Sequence, residues 1–77
     1  MTDANKFRAV VARNGMKMWQ VSAELGISPQ ALYNKLGNTY PFSQTELAKF
    51  RQLFPDVTDD EFKSIFFAEL VSAHDNE

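Results

Sequence analysis

The sequence of 77 residues contains no cysteine, a single histidine and no long apolar run. Without cysteine the chain can form neither a disulfide bond nor a thiolate metal site, and it has no cysteine nucleophile, which is typical of proteins of the reducing cytoplasm. A helix that spans a bilayer needs about 20 consecutive apolar residues, and the polar start of the chain lacks the apolar core of a signal peptide. We therefore expect a cytoplasmic protein without a membrane partner.

The composition is that of a small globular domain. Hydrophobic residues make up 44% of the chain and seven residues are Phe, which is more apolar surface than a disordered chain carries. A chain this short forms one hydrophobic core. We expect a single domain over residues 1–77, in which residues 72–77 form a flexible acidic tail.

Charge is divided unevenly along the chain. Residues 1–51 hold seven basic and three acidic residues, a net charge of +4, whereas residues 52–77 hold one basic and seven acidic residues, a net charge of −6. This division predicts a basic body that can meet phosphates and an acidic end turned elsewhere. A solvated acidic helix start followed by a polar tail is the alternative explanation.

Capping residues, glycines and prolines divide the sequence into five short helices. Helix starts are indicated at Asp3, at Ser28 before Pro29, and at the capping boxes of residues 43–46 and 58–61. Helix ends are indicated at Asn14-Gly15, Gly26, Gly37 and Pro55. The second helix runs from about residue 18 to residue 25, and no segment alternates as a strand would. The predicted fold class is all-α.

The last helix carries more apolar residues than one packing face requires. They are Phe62, Ile65, Phe66, Phe67, Leu70 and Val71. At about 100° per residue these side chains span roughly 240° of the helix circumference. The edge formed by Phe67, Leu70 and Val71 is therefore predicted to be a dimer interface.

The stretch from residue 18 to residue 38 carries the main functional signal. Only Ile27 stands between Gly26, which ends one helix, and Ser28, which caps the next. Such a short connection, with a glycine able to take positive φ, makes the two helices cross at a steep angle. Ser22 supplies the small side chain that this crossing needs. The start of the third helix is then presented outward.

Residues 15–38, GMKMWQVSAELGISPQALYNKLGN, resemble the helix-turn-helix of the lambda-repressor/Cro-like (Xre-type) family of phage and bacterial transcription regulators. The resemblance implies a compact five-helix lambda-repressor-like DNA-binding domain, with the helix-turn-helix at helices two and three. It also implies a phage or prophage Cro-like repressor that binds a double-stranded DNA operator at the nucleoid as a homodimer.

The sequence departs from the family pattern at three places. Ser22 stands where alanine is usual, and residues 17–19 offer no side-chain acceptor to cap helix two. Lys35 stands where an apolar residue is common, with Leu36 one position later. The second departure bears on the family's usual phosphate contact from the start of helix two, and the third bears on the rotation of the recognition helix.

The candidate base-reading residues are Pro29, Gln30, Ala31 and Asn34. Gln30 and Asn34 are four residues apart and hence on one helix face, and each carries an amide that can pair bidentately with adenine. Ala31 can make apolar contact with a thymine methyl group. Without the motif, Gln30 and Asn34 would be ordinary solvent-facing polar residues.

The residues expected to contact DNA phosphates are Arg13, Lys17, Ser28, Tyr33, Lys35, Asn38, Thr39 and Tyr40. The last three follow from the resemblance, which implies that their loop lies along the DNA backbone. The alternatives are ring packing for Tyr33, a helix-dipole contact for Arg13, and plain solvation for Lys35. Trp19 is expected to be half-buried against the core, and the alternative is an exposed ring that contacts sugar-phosphate or a partner.

Catalytic and metal chemistry have little support. His74 stands in a polar tail with Asp75 and Glu77, and the carboxylates of residues 59–61 are explained by their place in a first helical turn. The sequence has no glycine-rich phosphate loop and no credible Ser-His-Asp set. We expect no enzyme activity, cofactor, metal or small-molecule ligand. The rival functional hypothesis is a protein–protein interaction module on the same scaffold that does not bind DNA specifically.

Overall fold

The computed structural model describes residues 1–69, and every regular element in this range is a helix. The helices are α1 (Ala4–Arg13), α2 (Met18–Leu25), α3 (Pro29–Leu36), α4 (Gln44–Leu53) and α5 (Asp59–Phe66). The predicted all-α class with five helices is confirmed. None of these helices is long and apolar enough to span a bilayer. The predictions for Leu70, Val71 and the tail of residues 72–77, including His74, lie outside the described residues.

Side-chain caps fix the starts of four helices where the sequence predicted them. The capping oxygens belong to Asp3, Ser28, Ser43 and Thr58, and each accepts the backbone N–H three residues further on at 3.1 Å. Ser43 opens a complete capping box, because the Glu46 carboxylate accepts its backbone N–H at 2.9 Å. The second predicted box is only half formed, since the Glu61 carboxylate contacts Arg13 instead. Each cap stabilises its helix by about 1 kcal/mol.

The core is an aromatic cluster that joins α1, α4 and α5. Ring centroids are 5.2 Å apart for Phe7 and Phe50, 4.9 Å for Phe50 and Phe66, and 6.0 Å for Phe7 and Phe66. Leu32 and Leu36 of α3 are buried in the same core, as their spacing of one turn predicted. Because α3 packs against α2 through this side, its opposite side faces solvent.

The apolar run of the last helix is interrupted at Phe67. This residue has φ −130° and ψ 47°, which are not helical angles. In a continued helix the N–H of Ala68 would donate to the carbonyl of Ser64, but it donates to the carbonyl of Met1 at 3.1 Å. The prediction of one uninterrupted apolar helix is therefore wrong at this point, because the start of the chain supplies another acceptor.

Residues 1–3 lie between the end of α5 and the loop that follows α3. The N–H of Asp3 donates to the carbonyl of Ile65 at 2.7 Å. The side-chain amide of Asn38 accepts the N–H of Thr2 at 2.7 Å and donates to the Thr2 carbonyl at 3.3 Å. Asn38 has a φ of 65°, a left-handed conformation that asparagine tolerates better than most residues. The segment thereby connects two surfaces for which the sequence predicts binding roles.

Candidate nucleic-acid interface

A tight corner joins α2 to α3. Gly26 has a φ of 77°, and the N–H groups of Gly26 and Ile27 donate to the carbonyls of Ala23 and Ser22 at 3.1 and 3.0 Å. These two bonds form a Schellman motif, which satisfies carbonyls at the end of α2. Ser28 caps α3 immediately afterwards. The corner therefore has the predicted length, with Ile27 alone between the helix end and the next cap.

The packing around the corner leaves room only for small residues at Gly26 and Ser22. A Cβ built on Gly26 would lie 3.3 Å from the Nζ atom of Lys49 in α4, at a φ that strains any L side chain. Ser22 is 1% exposed. Its hydroxyl donates to the carbonyl of Trp19 at 2.7 Å, so this buried polar group is satisfied within α2.

Two side-chain amides one turn apart in α3 are joined by a hydrogen bond. Gln30 is exposed and Asn34 is half-buried, and the Gln30 Nε2 group donates to Asn34 Oδ1 at 3.2 Å. Within residues 1–69 the side-chain oxygen of Gln30 and the side-chain NH₂ group of Asn34 form no hydrogen bond. The pair therefore offers the Gln30 oxygen as an acceptor and the remaining N–H groups of both amides as donors. Pro29 is exposed beside them, and Ala31 is half-buried. The predicted base-reading residues thus lie along the first two turns of one helix.

Trp19 and Tyr33 flank this set from the side of α2. Trp19 is 62% exposed and Tyr33 is 51% exposed. The expectation of a half-buried Trp19 is wrong, because Val21, Ser22 and Leu25 form the buried stripe of α2 and Trp19 lies off it. Tyr33 is too exposed to serve mainly as core packing. The two rings line a cleft between the first turns of α2 and α3.

The start of α2 lacks a side-chain cap, as predicted. Lys17 occupies the N-cap position, and its backbone N–H donates to Gln20 Oε1 at 2.8 Å. Lys17 is exposed and is a member of the predicted phosphate-contacting set. Ser28, another member, is exposed too, and its oxygen is already used to accept the N–H of Ala31.

The loop after α3 offers fewer free groups than expected. The Asn38 amide is bonded to the backbone of Thr2, and the N–H of Thr39 donates to the Asn34 carbonyl at 2.9 Å. The phosphate contact of Asn38 stays a prediction, and in the described structure its amide oxygen and its NH₂ group each form one hydrogen bond with Thr2. Thr39 and Tyr40 are exposed along the loop.

Arg13 is held by two carboxylates from the C-terminal half of the chain. Its Nη2 atom lies 2.7 Å from Asp56 Oδ2, and its Nη1 atom lies 2.9 Å from Glu61 Oε2. The hydrogen bonds that Arg13 donates to Glu61 and to Asp56 raise the pKa of Arg13, and the same bond to Asp56 lowers the pKa of that carboxyl group. The phosphate contact of Arg13 stays a prediction, and in the described structure its donors bind these two carboxylates.

Lys35 is similarly paired. Its Nζ atom lies 2.7 Å from Glu46 Oε1, and the two side chains are only 15% and 12% exposed. Burial raises the pKa of Glu46, but hydrogen bonds from Lys35 and Ser43 outweigh it, and the pKa is lowered overall. The phosphate contact of Lys35 also stays a prediction, and in the described structure its ammonium group joins the end of α3 to the start of α4.

The acidic half of the chain does not turn away from the basic half. Arg51 also forms an ion pair, with Asp59 at the start of α5. Two of the seven basic residues before residue 52, Arg13 and Arg51, are therefore paired with carboxylates of the acidic half in the described structure, whereas Lys35 pairs with Glu46 inside the basic half. The predicted separation of charge along the sequence becomes partial neutralisation in three dimensions, because α5 folds back onto α1 and packs beside α4.

The predicted dimer edge is described only at Phe67. This side chain is 37% exposed and lines a groove of about 410 Å³ together with Met1, Tyr40 and Phe42. The exposed large hydrophobic residues of the described chain thus fall into two places, this groove and the cleft at Trp19 and Tyr33.

Sequence reasoning missed the exposed position of Trp19 and the contact of Lys49 with the corner. The first had a usable signal, since helical periodicity places Trp19 off the stripe of residues 18, 21, 22 and 25. The second had none, because it depends on how α4 packs against α2.

Comparisons with family models, with characterised proteins and with solved structures found no significant match.

Proposed function

We propose that this chain is a sequence-specific, double-stranded DNA-binding regulator of transcription. It would act as a homodimeric repressor similar to the Cro-like proteins of phages and prophages, in the cytoplasm and at the nucleoid, and not as an enzyme. The observation that supports this proposal is the linked amide pair of Gln30 and Asn34. It lies along the first two turns of a short helix, with Gln30 exposed in the first turn and Asn34 half-buried in the second, after a tight glycine corner.

Recognition by this helix follows from groove dimensions. The major groove of B-DNA admits an α-helix, and adenine presents there an acceptor at N7 and a donor at N6. A glutamine or asparagine amide matches both groups. The hydrogen bond between Gln30 and Asn34 holds the two side chains in one arrangement before binding, which lowers the entropy lost on contact. Ala31, one residue along, would touch a neighbouring thymine methyl group.

Electrostatic attraction would be modest for a protein of this kind. Of the three basic residues in the predicted phosphate set, Arg13 and Lys35 are paired internally, whereas Lys17 forms no ion pair with any of residues 1–69. Each phosphate neutralised contributes about −0.9 to the slope of log K against log salt. A protomer that relies on Lys17, backbone donors and hydroxyl groups should therefore have a shallow slope, and sequence discrimination would depend mainly on base contacts.

A dimer would extend recognition to two half-sites. Helix-turn-helix dimers place their recognition helices about 34 Å apart, one turn of the double helix. Phe67, with the neighbouring Leu70 and Val71, is the proposed interface. Sedimentation of Phe67→Glu tests this directly: the variant should be monomeric at concentrations where the parent is dimeric, and an unchanged mass would remove the assignment.

Selection of duplexes from a random library, followed by anisotropy titrations, tests the DNA-binding proposal. The chain should enrich a related set of sequences, and Gln30→Ala should reduce discrimination at one or two base pairs by about 1–3 kcal/mol each. Gln52→Ala is the matched control, since Gln52 is an exposed glutamine late in α4. Failure to enrich any sequence, or equal effects of the two variants, would count against the proposal.

The alternative is a protein-interaction module on the same scaffold. The internal pairing of Arg13, Lys35 and Arg51 favours it, because it removes cations that a DNA-binding surface would use. The same titrations separate the two functions. An interaction module would bind all duplexes weakly and alike, and Gln30→Ala would leave that binding unchanged.

A further inference from the structure

An apolar cleft separates the first turns of α2 and α3. Its volume is about 210 Å³, and it is lined by Lys17, Met18, Trp19, Pro29, Leu32 and Tyr33. Its aromatic walls, Trp19 and Tyr33, are two of the five large hydrophobic side chains exposed in the described residues. Exposed apolar surface gathered in one concave place is characteristic of a binding site.

The cleft adjoins the amide pair. Pro29 and Tyr33 line it, and in α3 they are the immediate sequence neighbours of Gln30 and Asn34. A duplex read by the two amides would therefore pass beside the cleft. Its one charged lining residue is Lys17, and a cation at this position suits the phosphates of a DNA strand.

The chemistry of the major groove identifies the group that fits such walls. Base edges in this groove present hydrogen-bond donors and acceptors, and the only apolar group among them is the C5-methyl group of thymine. The walls of this cleft are mainly aromatic and aliphatic carbon, with the Tyr33 hydroxyl, the Trp19 N–H and the Lys17 ammonium group as its polar side-chain groups. Such carbon surface gains free energy when a methyl group leaves water.

Building on the proposed function, we infer that this cleft binds the 5-methyl group of a pyrimidine next to the bases read by Gln30 and Asn34. In unmodified DNA that pyrimidine is thymine, and 5-methylcytosine offers the same group. With adenine read by the amides and thymine held by the cleft, the preferred half-site is rich in A·T pairs. Trp19 is therefore a specificity-determining residue contributed by α2, outside the recognition helix.

Replacing thymine by deoxyuridine tests this inference, since deoxyuridine lacks only the methyl group. In the best duplex from the selection, each thymine of a half-site is replaced in turn and the dissociation constant is measured by anisotropy. One position should show a loss of affinity of about four-fold, the effect of exposing one buried methyl group. In Trp19→Ala the thymine and deoxyuridine duplexes should bind equally at that position.

Two controls confine the result to the cleft. Gln52→Ala removes an exposed side chain of α4 that lies outside the cleft, beside Glu24 and Lys49; it should keep the four-fold ratio. Because Trp19 is the only tryptophan of the chain, its fluorescence should change more with the thymine duplex than with the deoxyuridine duplex. Circular dichroism tests whether Trp19→Ala is folded. Tyr33→Ala, which removes the other aromatic wall, should also make the thymine and deoxyuridine duplexes bind equally.

The outcomes distinguish this inference from the function on which it rests. If no duplex is enriched, both fail. If duplexes are enriched and Gln30→Ala reduces discrimination, but no thymine position responds to deoxyuridine, the DNA-binding proposal stands and the methyl cleft is refuted. A four-fold ratio that persists in Trp19→Ala would also refute it, because the methyl group would then be recognised elsewhere.

Discussion

The substitution Gly26→Ala should destabilise the fold through the backbone of the corner. Gly26 has a φ of 77°, where an L residue pays about 1–2 kcal/mol relative to the right-handed region. Alanine also restricts the unfolded chain, which offsets roughly 0.4–1 kcal/mol. The new Cβ would approach Lys49 Nζ at 3.3 Å, and that flexible side chain must shift. We expect a net loss of about 1 kcal/mol.

Gly37→Ala is the matched control at another helix end. Gly37 has a φ of −82°, and a Cβ there would lie 3.4 Å from the Tyr33 carbonyl oxygen, an ordinary van der Waals contact. Its alanine variant should therefore be more stable than the parent by about 0.4–1 kcal/mol. The two variants differ by the same atoms, so the sign of φ is the main variable between them.

Urea unfolding monitored by circular dichroism measures both free energies. In thermal unfolding of a domain of this size, 1 kcal/mol corresponds to a shift in Tm of about 4–8 °C. The opposite Tm shifts expected for the two variants should therefore be resolved easily. The slope of free energy against urea should be unchanged, because neither variant alters the surface exposed on unfolding. If Gly26→Ala were as stable as Gly37→Ala, the left-handed corner would not be the constraint that we assign to it.

Three further predictions concern the ion pairs and the core. Glu46→Gln should remove the loss of stability at low pH that comes from the largely buried ion pair with Lys35. Because the pKa of Glu46 is lowered in the folded state, the pair's contribution is complete above about pH 4.5 and is lost as the pH falls through the folded pKa. Urea unfolding across pH measures this change. Arg13→Gln should change DNA affinity less than Lys17→Gln does, since carboxylates already hold Arg13; a larger effect for Arg13 in anisotropy titrations would contradict the pairing. Phe50→Ala should cost about 3–5 kcal/mol, because Phe50 is 1% exposed and packs on four other Phe rings, and a folded variant with near-parental Tm would contradict this role.

Local signals in the sequence predicted most of the fold. Helix caps depend on residues three positions apart, so Ser28, Ser43 and Thr58 could be assigned without knowledge of the tertiary structure. The corner at Gly26 was equally local, and so was the spacing that places Gln30 and Asn34 together. These predictions succeeded because each depends on a few neighbouring residues whose geometry the backbone determines.

The electrostatics of the site could not be predicted in this way. Arg13 is 43 residues from Asp56 and 48 residues from Glu61. Nothing in the local sequence indicates that the segment with these two carboxylates lies at the end of α1. The break at Phe67 has the same origin, because the acceptor for the next N–H comes from Met1. Net charge along a chain therefore predicts poorly which cations remain available on a surface.

The short segment before α1 is hydrogen-bonded to two surfaces with predicted binding roles, the loop after α3 and the end of α5. Thr2 is tied to Asn38 in the loop after α3, and Asp3 and Met1 are tied to backbone groups around Phe67. The loop and the helix end are thus hydrogen-bonded to the same three residues, which couples the position of one to that of the other. Any peptide fused ahead of Met1 would emerge between them, and a purification tag placed there would disturb the very surfaces that binding assays are meant to probe.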